Sequence, residues 1–279
     1  MKIILGKNAG PCFGVKNAVD KAYEELKEDE TIYCLGELVH NDETTKELEK
    51  NGMIFIDNIE DAKGKVIIRA HGEPKTTYES ADKMGLDLID LTCPKVSKIH
   101  EIADKYTQEG YFIIITGKTN HPEVIGIAGF CDKNYLIIEN MEDLEKIKNL
   151  KQDKVLLISQ TTFSKEKFER IANLIKSNNK FEEFEIINTI CAATKLRQDE
   201  TMEIAKQVDA MIIIGGKHSS NTTKLYDIAV KYCDTFFIET PNELKLDNIK
   251  KYEKIGVMAG ASTPEKSIKK VIEMLQKIC

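Results

Sequence analysis

Residues 112–123 read Phe112-Ile113-Ile114-Ile115-Thr116-Gly117-Lys118-Thr119-Asn120-His121-Pro122-Glu123, an apolar run stopped by glycine and followed by a polar loop. A short β-branched run bounded by turn residues reads as a buried strand. The same order occurs twice more. Ile32-Tyr33-Cys34-Leu35 runs into Gly36 and a loop holding His40 and Asp42. Met211-Ile212-Ile213-Ile214 runs into Gly215 and a loop holding Ser219 and Asn221. A cysteine leads each copy: Cys12, Cys93 and Cys191. Counted from it, the glycine lies 24 residues on, and the two polar loop positions lie 28 and 30 on, in all three. One unit is written three times.

Each copy continues alike. A short amphipathic helix is expected over 43–49, 124–130 and 223–232, then a second strand over 53–56, 135–138 and 235–238. A short connector with a helical turn follows, near 57–62, 140–150 and 241–249. A third strand is expected over 66–68, 155–158 and 255–258. It ends in a polar cluster: Ala70-His71-Gly72, Ser159-Gln160-Thr161-Thr162 or Gly260-Ala261-Ser262-Thr263. The next helix twice has proline near its first turn, Pro74 and Pro264, where a missing N–H costs nothing. In the first two copies a last strand, 86–91 and 184–190, leads into the next cysteine. The third copy lacks one, since its last helix, 265–277, runs to the end of the chain. The strand at 2–5 is expected to take that place.

Strands alternating with helices argue for parallel sheets. The expected fold is α/β: three similar small domains with parallel sheets in a pseudo-threefold ring. The repeats cover 13–92, 93–190 and 191–279, the last completed by 1–12. Ligands bind outside the carboxyl ends of such strands, so the cysteines and polar loops are expected to face one cavity. Each cysteine also precedes a helix, expected over 13–26, 95–108 and 193–207, whose N-terminus favours negative charge.

Composition narrows the chemistry. A chain 42% hydrophobic can fill several small cores, and a net charge of -6 excludes a general nucleic-acid binder. No apolar run reaches the length of a membrane span, and the first residues lack a signal-peptide pattern, so a cytoplasmic location is expected. Seven cysteines in such a compartment point to metal, redox chemistry or burial, not disulfides. Cys34, Cys131, Cys233 and Cys279 are unmatched between copies and read as buried or incidental thiols. Cys12, Cys93 and Cys191 suit an iron-sulfur cluster with one iron lacking a thiolate. A zinc closed by His40, His71 or His121 suits them too.

The polar positions carry two readings each. His40, His71 and His121 fall in strand-end loops and favour ligand binding. His100, on a helix, reads as structural, and His218 as either. Ser219, Ser220, Asn221, Thr161 and Ser262 can cap helices or cradle a phosphate or diphosphate. Glu123 is the one glutamate at a matched loop position, with Asp42 as its counterpart. A carboxylic acid in a closed pocket has a raised pKa and can donate a proton.

The segments Gly10-Pro11-Cys12-Phe13-Gly14-Val15, Gly36-Glu37-Leu38-Val39-His40-Asn41, Arg69-Ala70-His71-Gly72, Thr92-Cys93-Pro94, His121-Pro122-Glu123-Val124, Gln160-Thr161-Thr162, Ser219-Ser220-Asn221 and Ala259-Gly260-Ala261-Ser262 come in order along essentially the whole chain. With them the sequence resembles the 4-hydroxy-3-methylbut-2-enyl diphosphate reductases, the last enzymes of the non-mevalonate isoprenoid pathway. That resemblance implies a central [4Fe-4S] cluster on Cys12, Cys93 and Cys191, with one iron open to the substrate's hydroxyl. It implies a diphosphate pocket lined by His40, His71, His121, Ser219, Ser220, Asn221 and Ser262. Thr161 would position the hydroxyl end of the substrate and relay protons, and Glu123 would be the proton donor. A ferredoxin or flavodoxin would supply two electrons, and isopentenyl and dimethylallyl diphosphates would be the products. No nucleic-acid or membrane partner is implied.

Three departures stand out. His218 lies where such sequences often have Asn. Glu73 follows His71-Gly72 where an apolar residue is usual. A carboxylate facing a diphosphate would repel it, so Glu73 is expected to face outward. Ala192-Ala193-Thr194 lacks an aromatic found in many relatives. The chain ends soon after the third copy, so the C-terminal extension of some relatives is not expected. The competing classes are a metal-binding or redox-sensing regulator using the same thiols, and a cluster-free nucleotide-binding protein. The second is disfavoured because no GxGxxG or P-loop follows any strand.

Overall fold

The computed structural model describes residues 1–28, 31–148, 150–178 and 180–278. Its first strand, β1 (Lys2–Leu5), does not join the sheet that follows it in sequence. β2 (Ile32–Leu35), β3 (Met53–Ile56), β4 (Lys65–Ile68) and β5 (Asp87–Asp90) form one sheet in the order β3-β2-β4-β5. β6 (Phe112–Thr116), β7 (Tyr135–Ile138), β8 (Lys154–Ser159) and β9 (Glu183–Ile186) form a second in the order β7-β6-β8-β9. β10 (Ala210–Ile214), β11 (Asp234–Ile238) and β12 (Lys254–Ala259) form the third with β1, in the order β1-β12-β10-β11. Every pairing is parallel. β1 thus lies where β5 and β9 lie in their sheets, with Ile4 opposite Gly256.

The helices are α1 (Phe13–Glu28), α2 (Asp42–Lys50), α3 (Lys75–Met84), α4 (Pro94–Gln108), α5 (Pro122–Ala128), α6 (Lys165–Asn178), α7 (Ala192–Ala205), α8 (Ser220–Ala229) and α9 (Glu265–Gln276). Among the described residues no helix is long and apolar enough to cross a membrane.

The isoleucine runs explain why each sheet is covered on both faces. Successive strand residues point to opposite sides, so a continuous apolar run needs two apolar partners. Ile113, Ile115, Leu156 and Ile158 pack on one side with Ile99 and Ala103 of α4 and Val124 and Ile127 of α5. Ile114, Val155 and Leu157 pack on the other with Phe168, Ile171 and Ile175 of α6. The third sheet divides likewise. Ile212, Ile214 and Val257 meet Ile268, Val271 and Leu275 of α9. Met211, Ile213 and Met258 meet Ile204 of α7 and Leu225 of α8. Each fully buried branched side chain is worth about 1.5–3 kcal/mol relative to exposure.

Compactness divides the chain differently from the repeat. One unit holds residues 1–16, 39–48 and 192 onward, with the third sheet. The other holds 17–38 and 49–191, with the first two sheets. The start of α2 belongs to the third sheet's unit because α9 grips it. Lys266 pairs with Glu43 at 3.5 Å and with Glu47, and Ser267 Oγ donates to Glu43 Oε2 at 2.5 Å.

Several boundaries differ from the sequence reading: α5 and α8 start two and three residues earlier than expected, at Pro122 and Ser220. β9 stops at Ile186, not at 190, because Asn188 Oδ1 accepts the Ile190 N–H at 3.1 Å and the Thr189 hydroxyl donates to Ser159 O at 2.5 Å. These side chains take over hydrogen bonds that a longer strand would supply. The turn near 140–150 is a 3-10 segment, Met141–Ile147, started by a capping box between Asn140 and Asp143.

Gly256 sits in the central strand β12, where a Cβ would come 2.2 Å from Met211 Sδ and 2.6 Å from Ile204 Cγ2. Gly256→Val is expected to cost about 1–3 kcal/mol by overpacking. A urea unfolding curve checks this; an unchanged midpoint would mean that α7 is not tightly seated on β12.

Candidate active site

The matched cysteines all stand between a strand end and a helix start: Cys12 before α1, Cys93 before α4 and Cys191 before α7. Their backbones are held in the same way. The Cys12 N–H donates to Ala261 O at 3.3 Å, the Cys93 N–H to Ala70 O at 3.0 Å and the Cys191 N–H to Thr161 O at 3.0 Å. Each acceptor lies two residues beyond the last residue of β12, β4 or β8. All three thiols are half-buried.

The other described cysteines are kept from ligand chemistry by burial, which pushes Cys34 and Cys131 up to about 12 and raises Cys233 as well. Cys279 lies outside the described residues. Three thiols on equivalent backbones at helix starts are a donor set that fits a three-thiolate cluster, since the thiolate is the ligand form. Cys93 and Cys191 fall in one compact unit and Cys12 in the other. Within either unit, among the described residues, no three His, Cys, Asp or Glu side chains gather to hold a metal ion.

The unit with the first two sheets contains the candidate acid, Glu123. Pro122 starts α5 and His121 caps it, its Nδ1 accepting the Glu123 N–H at 3.1 Å. That cap turns Glu123 inward, where it is 2% exposed. Its Oε1 accepts the Thr161 N–H at 2.6 Å, and its Oε2 lies 2.8 Å from Thr161 Oγ1. Burial pushes Glu123 up to about 7, against the two hydrogen bonds from Thr161, which favour the anion. Thr161 therefore contacts the carboxyl through its N–H and hydroxyl while its carbonyl holds Cys191. The rings of His71 and His121 meet edge to face at 5.5 Å.

The sequence reading quotes Gln160 within a polar cluster but gives it no role. It is 1% exposed; its Oε1 accepts the Lys118 N–H at 3.1 Å, and its Nε2 is buried without a hydrogen-bond partner. Its place beside Thr161 at a strand end was the available signal. His100 stacks on Phe130 with centroids 4.5 Å apart, and burial pushes it down to about 4, so it stays neutral. Glu73 corrects an expectation. It faces inward, 6% exposed, because Arg69 lies 2.6 Å away and supplies the opposite charge. Burial raises its pKa and Arg69 opposes that rise.

The other unit gathers the remaining polar candidates. Ser219 caps α8, its Oγ accepting the Thr222 N–H at 3.4 Å. Asn221, two residues on, is 4% exposed, and both amide atoms are buried without a hydrogen-bond partner. Burying an amide unpaired is costly, so such a group marks a place for a ligand or water. Ser220 is half-buried beside it. Ser262 Oγ donates to the His40 carbonyl at 2.8 Å, tying the loop of His40 to the end of β12. Asn41 is buried and caps α2, its Oδ1 accepting the Thr44 N–H at 2.9 Å. Asp42 and His218 are exposed.

The family model described as LytB protein matches residues 3–276. The chain belongs to the LytB family. A protein of Clostridioides difficile, named 4-hydroxy-3-methylbut-2-enyl diphosphate reductase, is 42% identical over the whole of both chains. One of Aquifex aeolicus with the same name is 41% identical over 99% of this chain and 96% of its own. A solved Plasmodium falciparum structure, titled as the E-1-hydroxy-2-methyl-but-2-enyl-4-diphosphate reductase, superposes with a TM-score of 0.92 at 34% identity, over 99% of this chain and 88% of that one. Another, titled as (E)-4-hydroxy-3-methyl-but-2-enyl diphosphate reductase, the terminal enzyme of the non-mevalonate pathway, gives 0.73 at 40% identity over 99% of this chain and 100% of that one.

Glu123 ties stability to pH. Its folded value of about 7 lies above the ordinary 4.5, so between these the folded chain binds the proton more tightly than the unfolded chain. Stability from this group is full below the ordinary value and is lost as pH rises toward 7, by at most about 1.4 kcal/mol per pH unit. In the metal-free protein, Glu123→Gln is expected to flatten the fall of the urea midpoint between pH 5 and 7. An equal slope in both proteins would show that the carboxyl is ionised when folded.

Proposed function

We propose that this chain reduces 4-hydroxy-3-methylbut-2-enyl diphosphate to isopentenyl and dimethylallyl diphosphates. The C–O bond of the allylic alcohol breaks, two electrons and two protons enter, and water leaves. The observation that carries the reading is the Glu123–Thr161 pair: a buried carboxyl with a pKa of about 7 hydrogen-bonded to a hydroxyl. Hydroxide is a poor leaving group, and a proton delivered to it turns it into water. A general acid works best with a pKa near the working pH.

Cys12, Cys93 and Cys191 are the ligands of a [4Fe-4S] cluster. Bound there, it supplies electrons singly and an iron without a thiolate that acts as a Lewis acid on the hydroxyl. A ferredoxin or flavodoxin provides the electrons, and the reaction runs in the cytoplasm. The working repeats are 13–92, 93–190 and 191–279 with 1–12.

The other residues bind and orient. Glu123 holds the proton on its carboxyl, and Thr161, hydrogen-bonded to that carboxyl, passes it to the hydroxyl end of the substrate. Asn221, with its unpaired amide, donates to the diphosphate alongside Ser219, Ser220, His40, His71 and His121. Ser262 has one hydroxyl proton, now on the His40 carbonyl, so it serves a phosphate oxygen only by releasing that carbonyl. Binding therefore draws on a bond that positions His40.

In anaerobic assays with a chemical reductant, Glu123→Gln is expected to lower turnover by roughly 10²–10⁴ while iron content and visible spectrum stay as in the parent. Unchanged turnover would remove Glu123 from the proton path.

A further inference from the structure

The three cysteine loops differ in length. Residues 6–11 separate β1 from Cys12, against 91–92 before Cys93 and 187–190 before Cys191. The two shorter loops close on themselves. Asp90 Oδ1 accepts the Thr92 N–H at 2.9 Å, and Asn188 Oδ1 accepts the Ile190 N–H at 3.1 Å. Such Asx turns fix a short loop with one of its own side chains. The longer loop contains Gly10 at φ +100; one turn bond, Ala9 N–H to Gly6 O at 3.2 Å, closes its first half, and it reaches β12 through Gly6 N–H to Val257 O at 2.9 Å and Gly10 N–H to Ala259 O at 3.4 Å.

Two side chains of α7 add to this hold. Arg197 is 4% exposed; its Nη2 donates to Gly10 O at 2.7 Å and its Nη1 to Ala193 O at 3.2 Å. Glu200, almost one turn on, takes the start of the loop. Its Oε1 accepts the Lys7 N–H at 2.7 Å, and its Oε2 accepts the Asn8 N–H and Nδ2 at 2.9 Å each. One helix therefore reads the loop's carbonyl with a cation and its N–H groups with an anion.

We propose that Arg197 and Glu200 are positioning residues for Cys12, the clamp that does for this loop what the Asx turns do for the other two and presents this thiol to iron. The proposal rests on the reading of Cys12 as a cluster ligand. The guanidinium suits the task because its planar fork reaches two carbonyls and keeps its charge at every working pH. Lysine at 197 would carry the charge on a single point and could hold only one of them. Bonds to charged groups are also the stronger kind, which suits a loop that must stay closed before iron arrives. Both act through the placement of the Cys12 backbone.

The test uses the full chain, metal-free and reduced, with iodoacetamide as probe and each cysteine's alkylation followed by peptide mass. In Arg197→Met and Glu200→Ala, Cys12 is expected to react roughly tenfold faster, as when a bond to a charged group no longer keeps a loop closed, with Cys93 and Cys191 unchanged. Arg197→Lys is expected to fall between, and it keeps the test open where Arg197→Met does not fold. A Cys12 rate equal to the parent's in every variant overturns the clamp. So does equal acceleration of all three thiols, which signals general loosening. A parent chain that binds no iron, with Cys12 still selectively accelerated, leaves the clamp standing and removes the cluster reading.

Discussion

One backbone hydrogen bond, made three times, organises the structure: a cysteine N–H donating to the carbonyl two residues beyond the third strand of a copy. It joins Cys93 to Ala70, Cys191 to Thr161 and Cys12 to Ala261. In the first two cases the cysteine opens the copy that follows. In the third it is the first cysteine of the chain, and β1 then pairs with β12 in register from Lys2 to Leu5. The same bond fixes where each thiol stands and which loop stands beside it. The loop carrying Thr161 is beside Cys191 for this reason, and Thr161 brings Glu123 with it.

That chain of contacts explains why an acid with a pKa of about 7 can be built without a neighbouring charge. The largest cause of the rise is burial, and the Thr161 bonds oppose it. His121 contributes by capping α5, which sets the direction of Glu123. A histidine that reads as a ligand in sequence thus also performs a helix cap. Ser219 likewise caps α8, beside the unpaired amide of Asn221. Unpaired buried groups of this kind are local costs, and such costs collect at functional sites.

Much of the fold was legible because its strands are continuous isoleucine-rich runs closed by glycine, and because three copies check one another. The place of β1 followed from a strand missing after α9. What escaped the sequence depends on partners far along the chain or on burial. Arg197 meets Gly10 and Glu200 meets Lys7 and Asn8 from α7 to the N-terminal loop, with no periodicity to announce it. Gln160 lacks a charge or ring to draw notice. Glu73 is buried, against the expectation that it faces outward, because that expectation weighs repulsion from a diphosphate and omits the attraction to Arg69, four residues back. The end of β9 was missed because Asn188 and Thr189 replace ladder bonds with side-chain bonds, a choice that apolar patterning does not reveal.

The central claim is that three equivalently anchored cysteines carry a cluster and the others do not. Iron and acid-labile sulfide, counted per chain in anaerobically purified protein and in single cysteine-to-serine variants, test it most directly. The account predicts about four irons in the parent, as a cubane requires. It predicts loss of the cluster in Cys12→Ser, Cys93→Ser and Cys191→Ser, and retention in Cys34→Ser, Cys131→Ser and Cys233→Ser. Colourless protein with one tightly held zinc, or full iron in any of the first three variants, would contradict it.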